Sequence, residues 1–113
     1  MTPYKKGDII LVPFPFSNQT FSKKRPVVVI SSDFYNSRYL DIIIMAVTSN
    51  TQNPLRIREC LIGDYASAGL LKPSIIKSAI SSIDKSLILK KLGALSSGDL
   101  DLLDKTLKEL LSL

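Results

Sequence analysis

Two unbroken apolar runs constrain this chain most: Val27–Ile30 (VVVI) and Asp41–Thr48 (DIIIMAVT). A helix exposed on one side would interrupt such runs every third or fourth residue, and a strand with one wet face would alternate. Short continuous runs rich in β-branched residues therefore read as strands buried on both faces. Asp8–Val12 (DIILV) reads as an earlier strand, stopped by Pro13 and Pro15. Leu55–Leu61 (LRIRECL) alternates, with Arg56 and Arg58 on one face and Leu55 and Ile57 on the other, as a half-buried strand should. Ile75–Ile80 is a further strand candidate. Ser17–Lys24, Ser31–Tyr39 and Ser49–Pro54 are polar connections, the second with Asp33 and Asn36 as turn formers.

The tail changes period. Ile83, Leu87 and Ile88 fit helical spacing, with Gly93 as the residue after the helix end. Ser96 or Ser97 caps a second helix, and Asp99 completes a capping box with Ser96. Asp101/Lys105 and Asp104/Lys108 follow at i,i+4, and Leu100, Leu103, Leu107, Leu110 and Leu111 form the apolar stripe. Short strands followed by terminal helices predict a mainly β (α+β) fold: a small, antiparallel β-barrel with C-terminal helices, one domain over residues 1–113. No apolar run reaches the length of a membrane span, and one Cys (Cys60) suits a reducing, cytoplasmic setting.

Missing residue types exclude whole chemistries. The chain has no His and one Cys, which removes His-based acid–base pairs, Ser-His-Asp triads and His/Cys zinc sites. Asp99, Asp101 and Asp104 form the only close acidic cluster, and they sit at a helix start, where they complement the dipole. The five glycines are scattered, so there is no phosphate-cradling glycine loop. Chemistry here must run on Arg, Lys, Ser, Thr, Tyr and single carboxylates.

The net charge of +5 lies wholly in residues 1–58, where Lys5, Lys6, Lys23, Lys24, Arg25, Arg38, Arg56 and Arg58 face three acids, Asp8, Asp33 and Asp41. Residues 59–113 carry seven of each sign. Such asymmetry fits a polyanion or an acidic protein partner, and equally a solvated basic surface. Arg25 stands where a polar loop enters a buried strand, and Pro26 biases it toward an extended backbone. Thr48 closes the next apolar strand. If the two strands pair antiparallel, the start of one lies beside the end of the other, and Arg25 meets Thr48 at one rim. A guanidinium and a hydroxyl suit a phosphodiester, because Arg clamps two non-bridging oxygens at once.

Gly7–Val12, the Phe-Pro-Phe segment and Lys24-Arg25-Pro26-Val27-Val28-Val29-Ile30-Ser31 together resemble the signature of the MazF/PemK toxin family. Val47-Thr48-Ser49 is similar to its second motif. Ser82-Ile83-Asp84-Lys85, followed by a helix and then Leu92–Ser96, is similar to its third block. The resemblance runs from about residue 5 to 110. It implies an SH3-like barrel, a homodimer, and the toxin of a type II toxin–antitoxin pair with an acidic cognate antitoxin. It also implies an endoribonuclease (mRNA interferase) that cuts single-stranded RNA at short sequences with no metal and no cofactor. In that family Arg25 matches the catalytic arginine and Thr48 the catalytic threonine.

RNA brings its own nucleophile, the 2′-hydroxyl, so the residue inventory is adequate for this reaction. Candidate RNA contacts are Asn18, Gln19, Lys23 and Lys24 in the first loop, with Ser49, Asn50 and Gln52 in the second. Tyr4, Phe14, Phe16, Phe21, Tyr35 and Tyr39 are potential stacking platforms, though Phe14 and Phe16 are expected in the core. The chain departs from the family pattern in two places. Ser17–Lys24 lacks a glycine and glutamate common there, and Ser78-Ala79-Ile80-Ser81 replaces a carboxylate, a glutamine and an arginine; no general base is assigned. Two other readings stay open: a non-catalytic protein-binding poison of the same fold, resembling CcdB-type gyrase inhibitors, and a plain nucleic-acid-binding barrel.

Overall fold

The structure, a computed structural model, describes residues 4–14, 23–51 and 59–113. Six strands and two helices follow one another as β1 (Asp8–Phe14), β2 (Lys23–Val29), α1 (Asp33–Arg38), β3 (Asp41–Thr48), β4 (Cys60–Leu61), β5 (Ile75–Asp84), β6 (Lys90–Ala94) and α2 (Ser97–Leu111). The strands make one curled antiparallel sheet in the order β4-β5-β3-β2-β1-β6. Its two edges are short, and β6 carries Lys90 and Lys91, which blunts it against pairing with other chains.

Both faces of the sheet are covered, which explains the unbroken apolar runs. Ile9, Val28, Met45, Val47 and Ile76 point to one face, where Leu103 and Leu107 of α2 close over them. Ile10, Val12, Val27, Val29, Ile42 and Ile44 point to the other, joined by Ile83 and flanked by Tyr4, Leu87 and Ile88. Each fully buried Ile or Val contributes roughly 1.5–3 kcal/mol. A one-residue slip would exchange the two faces, so the pairing register is strongly specified.

Several expectations are corrected. Pro13 does not stop β1, which runs on to Phe14. At Pro13 the strand pairs only with Lys24 of β2, since β6 pairs no further than Leu11. The missing N–H therefore costs no ladder bond. Pro26 is likewise inside β2, paired with Leu11, beyond the point where β3 joins. Ser31–Tyr39 is more than a polar connection: Ser32 Oγ accepts the Tyr35 N–H (3.1 Å) and caps α1. Asn36 is a fully buried anchor there. Its side chain takes the Ser31 hydroxyl and donates to Ser31 O (3.1 Å), while Ser31 Oγ accepts the Ile43 N–H (3.0 Å).

The helix expected after Ile83 is absent. Asp84 caps a single 3-10 turn, Lys85–Leu87, and the chain re-enters the sheet as β6. Ile83, Leu87 and Ile88 do gather at one core, but by alternation in β5 and a turn rather than by helical period. Helix α2 forms as expected, with Ser96 Oγ accepting the Asp99 N–H (3.2 Å). The capping box is only half made. The Asp99 carboxylate instead accepts the N–H groups of Gly63 (2.8 Å) and Asp64 (2.9 Å), tying the chain after β4 to the start of the helix. Asp104 pairs with Lys6, not Lys108.

Gly93 belongs to β6, where the chain crosses the 62–74 loop at Gly69. A Cβ on Gly69, whose φ is +76°, would lie 2.0 Å from Leu92 O, and one on Gly93 would lie 2.6 Å from the Ala68 carbonyl carbon. Both contacts are to backbone, which has no rotamer to yield. Gly69→Ala is therefore expected to cost about 2 kcal/mol or more; a melting temperature equal to wild type would contradict the close crossing.

On the outer side of β3, Asp41 accepts from the Ser82 hydroxyl and from Tyr35 OH (3.0 Å), which holds its carboxyl below the usual carboxylate range; the Ser82 bond is the larger cause. A depressed pKa stabilises the fold above the unfolded carboxyl's pKa, and that contribution disappears as pH falls through the lower folded value. Ser82→Ala should therefore raise the Asp41 carboxyl pKa in an NMR titration. It should also lower thermal stability at neutral pH, with the difference vanishing in strong acid.

Candidate nucleic-acid site

The site is built at the open end of β2 and β3. Their ladder pairs Val27 with Ala46, Val28 with Met45 and Val29 with Ile44. The ladder ends there; carried two residues further, the same register would set Arg25 opposite Thr48. On its other side Arg25 pairs with Val12 of β1, Lys24 with Pro13 and Lys23 with Phe14. Residues 23–25 are exposed while Val27–Val29 are buried, so β2 enters solvent as a cationic strand backed by β1.

Two cavities open at this sheet end, one toward each face. The first, about 240 Å³, is lined by Phe14, Arg25, Pro26, Val27, Ala46, Val47, Thr48 and Lys77. The second, about 350 Å³, also uses Arg25, Pro26, Val47 and Thr48, and adds Lys24, Ser49 and the 69–74 stretch with Leu71, Lys72 and Ser74. Arg25 and Thr48 are thus common to both. Among the described residues, every charged group lining the two cavities is a cation: Lys24, Arg25, Lys72 and Lys77. Low-dielectric walls beside a single sign of charge concentrate the field on an anion.

Thr48 Oγ1 accepts the Asn50 N–H (3.1 Å), a local turn that holds the hydroxyl in place while its own proton remains a donor. Cys60 offers no rival nucleophile, because it is buried in the core and burial pushes its thiol up. Among the described residues no three His, Cys, Asp or Glu groups come together as a metal site would need.

Of the residues singled out in the sequence, Arg25, Thr48, Lys24 and Ser49 converge on these cavities. Lys23 is exposed on the same strand and Asn50 in the adjoining turn, but neither lines a cavity. Asn18, Gln19 and Gln52 lie outside the described residues, as do Phe16 and Phe21. Phe14, expected in the core, is half exposed and forms a wall of the first cavity. Tyr35 and Tyr39 stack on each other in and beside α1 (4.7 Å between centroids) and line neither cavity. Lys72 and Lys77 come from the half of the chain whose charges cancel. Summing charge by sequence halves hides them, and only the fold brings them beside Arg25.

The comparisons with known proteins agree with this architecture. A Mycobacterial endoribonuclease solved with its cognate antitoxin superposes with a TM-score of 0.77 at 14% identity, covering 97% of this chain and 96% of its own. The Mycobacterium tuberculosis toxin MazF-mt6 gives 0.75 at 16% identity, with 94% and 97% covered. MazF in a MazE-MazF crystal from Deinococcus radiodurans gives 0.76 at 18% identity, with 99% of each chain covered. At such identities these structures show the shared fold. No curated protein is close enough in sequence to match. No helix among the described residues is long and apolar enough to cross a membrane. The family model for the PemK-like, MazF-like toxins of type II toxin–antitoxin systems matches residues 5–111, and the chain belongs to that family.

Proposed function

We propose that this toxin is an endoribonuclease that cleaves single-stranded RNA at the Arg25–Thr48 rim. What carries the reading is the sharing of two cation-lined cavities by one guanidinium and one oriented hydroxyl. In this mechanism the RNA 2′-oxygen attacks the adjacent phosphorus, the P–O5′ bond breaks, and the proton lost at O2′ is balanced by one gained at O5′. Products are a 2′,3′-cyclic phosphate and a 5′-hydroxyl. Arg25 neutralises the charge that grows on the non-bridging oxygens, and Thr48 donates a hydrogen bond to one of them. Neither step calls on a metal, and DNA, lacking the 2′-hydroxyl, is spared.

A cognate antitoxin with an acidic segment would silence the enzyme by covering the same cations. One structural neighbour is an endoribonuclease in complex with its cognate antitoxin, which supports this choice of partner. A homodimer is the assembly proposed, acting in the cytoplasm.

Purified protein incubated with a long single-stranded RNA in EDTA should yield discrete fragments ending in cyclic phosphate, with DNA of the same sequence untouched. Arg25→Ala should slow cleavage about 10²–10³-fold, and Thr48→Val about tenfold, one hydrogen bond's worth. RNA bound but uncut by the wild-type protein would favour a plain RNA-binding barrel, and cleavage undiminished in Arg25→Ala would remove that residue from the mechanism.

A further inference from the structure

Strand β5 departs from a regular ladder beside the site. Met45 pairs with Ile80 but Val47 pairs with Ile76, so the single residue Ala46 faces the three residues Lys77, Ser78 and Ala79. Bulges of this kind bend the strand and re-aim side chains, and they cluster next to functional sites. Ile75 and Ile76, before the bulge, are buried against Thr48 and Val47, whereas Lys77 to Ile80 are exposed. At the bulge β5 leaves the core, to return to it at Ile83, and the first residue of the bulge is Lys77. Its side chain lines the smaller cavity with Phe14, Arg25 and Thr48, over a floor of Pro26, Val27, Ala46 and Val47.

We propose that Lys77 is a phosphate-binding residue of the RNA site, which grips the phosphodiester next to the cleaved one on the Phe14 side of the Arg25–Thr48 rim. The inference rests on the ribonuclease reading above and adds to it a side of approach and a contact. The chemistry favours a phosphate over any other ligand group. Among the described residues no carboxylate lines the cavity, its charged groups are Arg25 and Lys77, and apart from the Thr48 hydroxyl its walls are apolar and aromatic, the mixture that takes a nucleotide's anion and base together. Arg25 is shared with the second cavity at the centre of the rim, while Lys77 belongs to this side alone. One cation is thus placed for the reacting phosphate and the other for its neighbour. A lysine suits the second task, since an ammonium on a flexible stem holds a phosphate as a point charge without demanding a planar geometry.

Binding is measured by fluorescence anisotropy with a single-stranded RNA oligonucleotide 2′-O-methylated at every position, which binds but is not cut, across a salt series. Lys77→Ala should weaken binding five- to tenfold and reduce the log–log salt slope by about 0.7, the loss of one phosphate contact on a single strand. Lys77→Arg should restore both, and Lys105→Ala, an exposed change on α2, should alter neither. With cleavable RNA the loss in Lys77→Ala should fall on KM, with kcat within about twofold, in contrast to Arg25→Ala. Unchanged affinity and slope in Lys77→Ala, with wild-type protein binding and cutting RNA normally, would overturn the role of Lys77 and leave the ribonuclease reading intact. Wild-type protein that neither binds nor cuts RNA would overturn both.

Discussion

The pairing of β2 with β3 is the constraint on which the rest depends. Val27, Val28 and Val29 lie against Ala46, Met45 and Ile44, and all of these side chains but Ala46 are buried in two separate cores. Because a strand's side chains alternate, a slip by one residue would push every one of them to the wrong face. The register is therefore held by hydrophobic burial on both sides at once. The two strands leave that ladder with Arg25 and Thr48 lining the same cavities.

The end of the sheet also explains why the site is wet and charged while the rest of the sheet is dry. Beyond Val27, β2 has only β1 beside it, and both prolines of the ladder, Pro13 and Pro26, fall in this one-sided stretch. The strand stays paired with β1 where it is least supported, and it carries Lys23, Lys24 and Arg25 into solvent without leaving the sheet. The 62–74 loop forms the facing wall. It is pinned at one end by the Asp99 carboxylate and at the other by its backbone crossing with Gly93. Helix α2, which lines neither cavity, so contributes to the shape of the cleft through its first turn.

Electrostatics follows the same division. The acids near the site's elements are occupied elsewhere: Asp8 is buried with Lys91, Asp41 is held by Tyr35 and Ser82, and Asp99 clamps a loop. Among the described residues, the cations that line the cleft have no carboxylate beside them in its walls. That arrangement gives an anionic polymer, or an acidic protein segment competing with it, a reason to bind here rather than elsewhere on a basic surface.

The sequence by itself determined which segments are the buried strands, because β-branched runs such as VVVI and DIIIMAVT have no other stable use. It also determined the capped C-terminal helix and the meeting of Arg25 with Thr48, which follows once two such runs pair antiparallel. Tertiary structure alone decided the rest. Ile83, Leu87 and Ile88 share spacing with a helix, yet become part of a strand and a turn because the sheet's second face needs covering. Phe14 is apolar enough for the core, yet it is half exposed because β1 runs two residues past its last buried residue, Val12. Asp99 could close a capping box, but two loop N–H groups compete for it. Lys77 looks like an ordinary surface charge until the β5 bulge places it beside Arg25. Local pattern reports which side chains must leave water, while the partner each one meets depends on contacts between segments far apart in the chain.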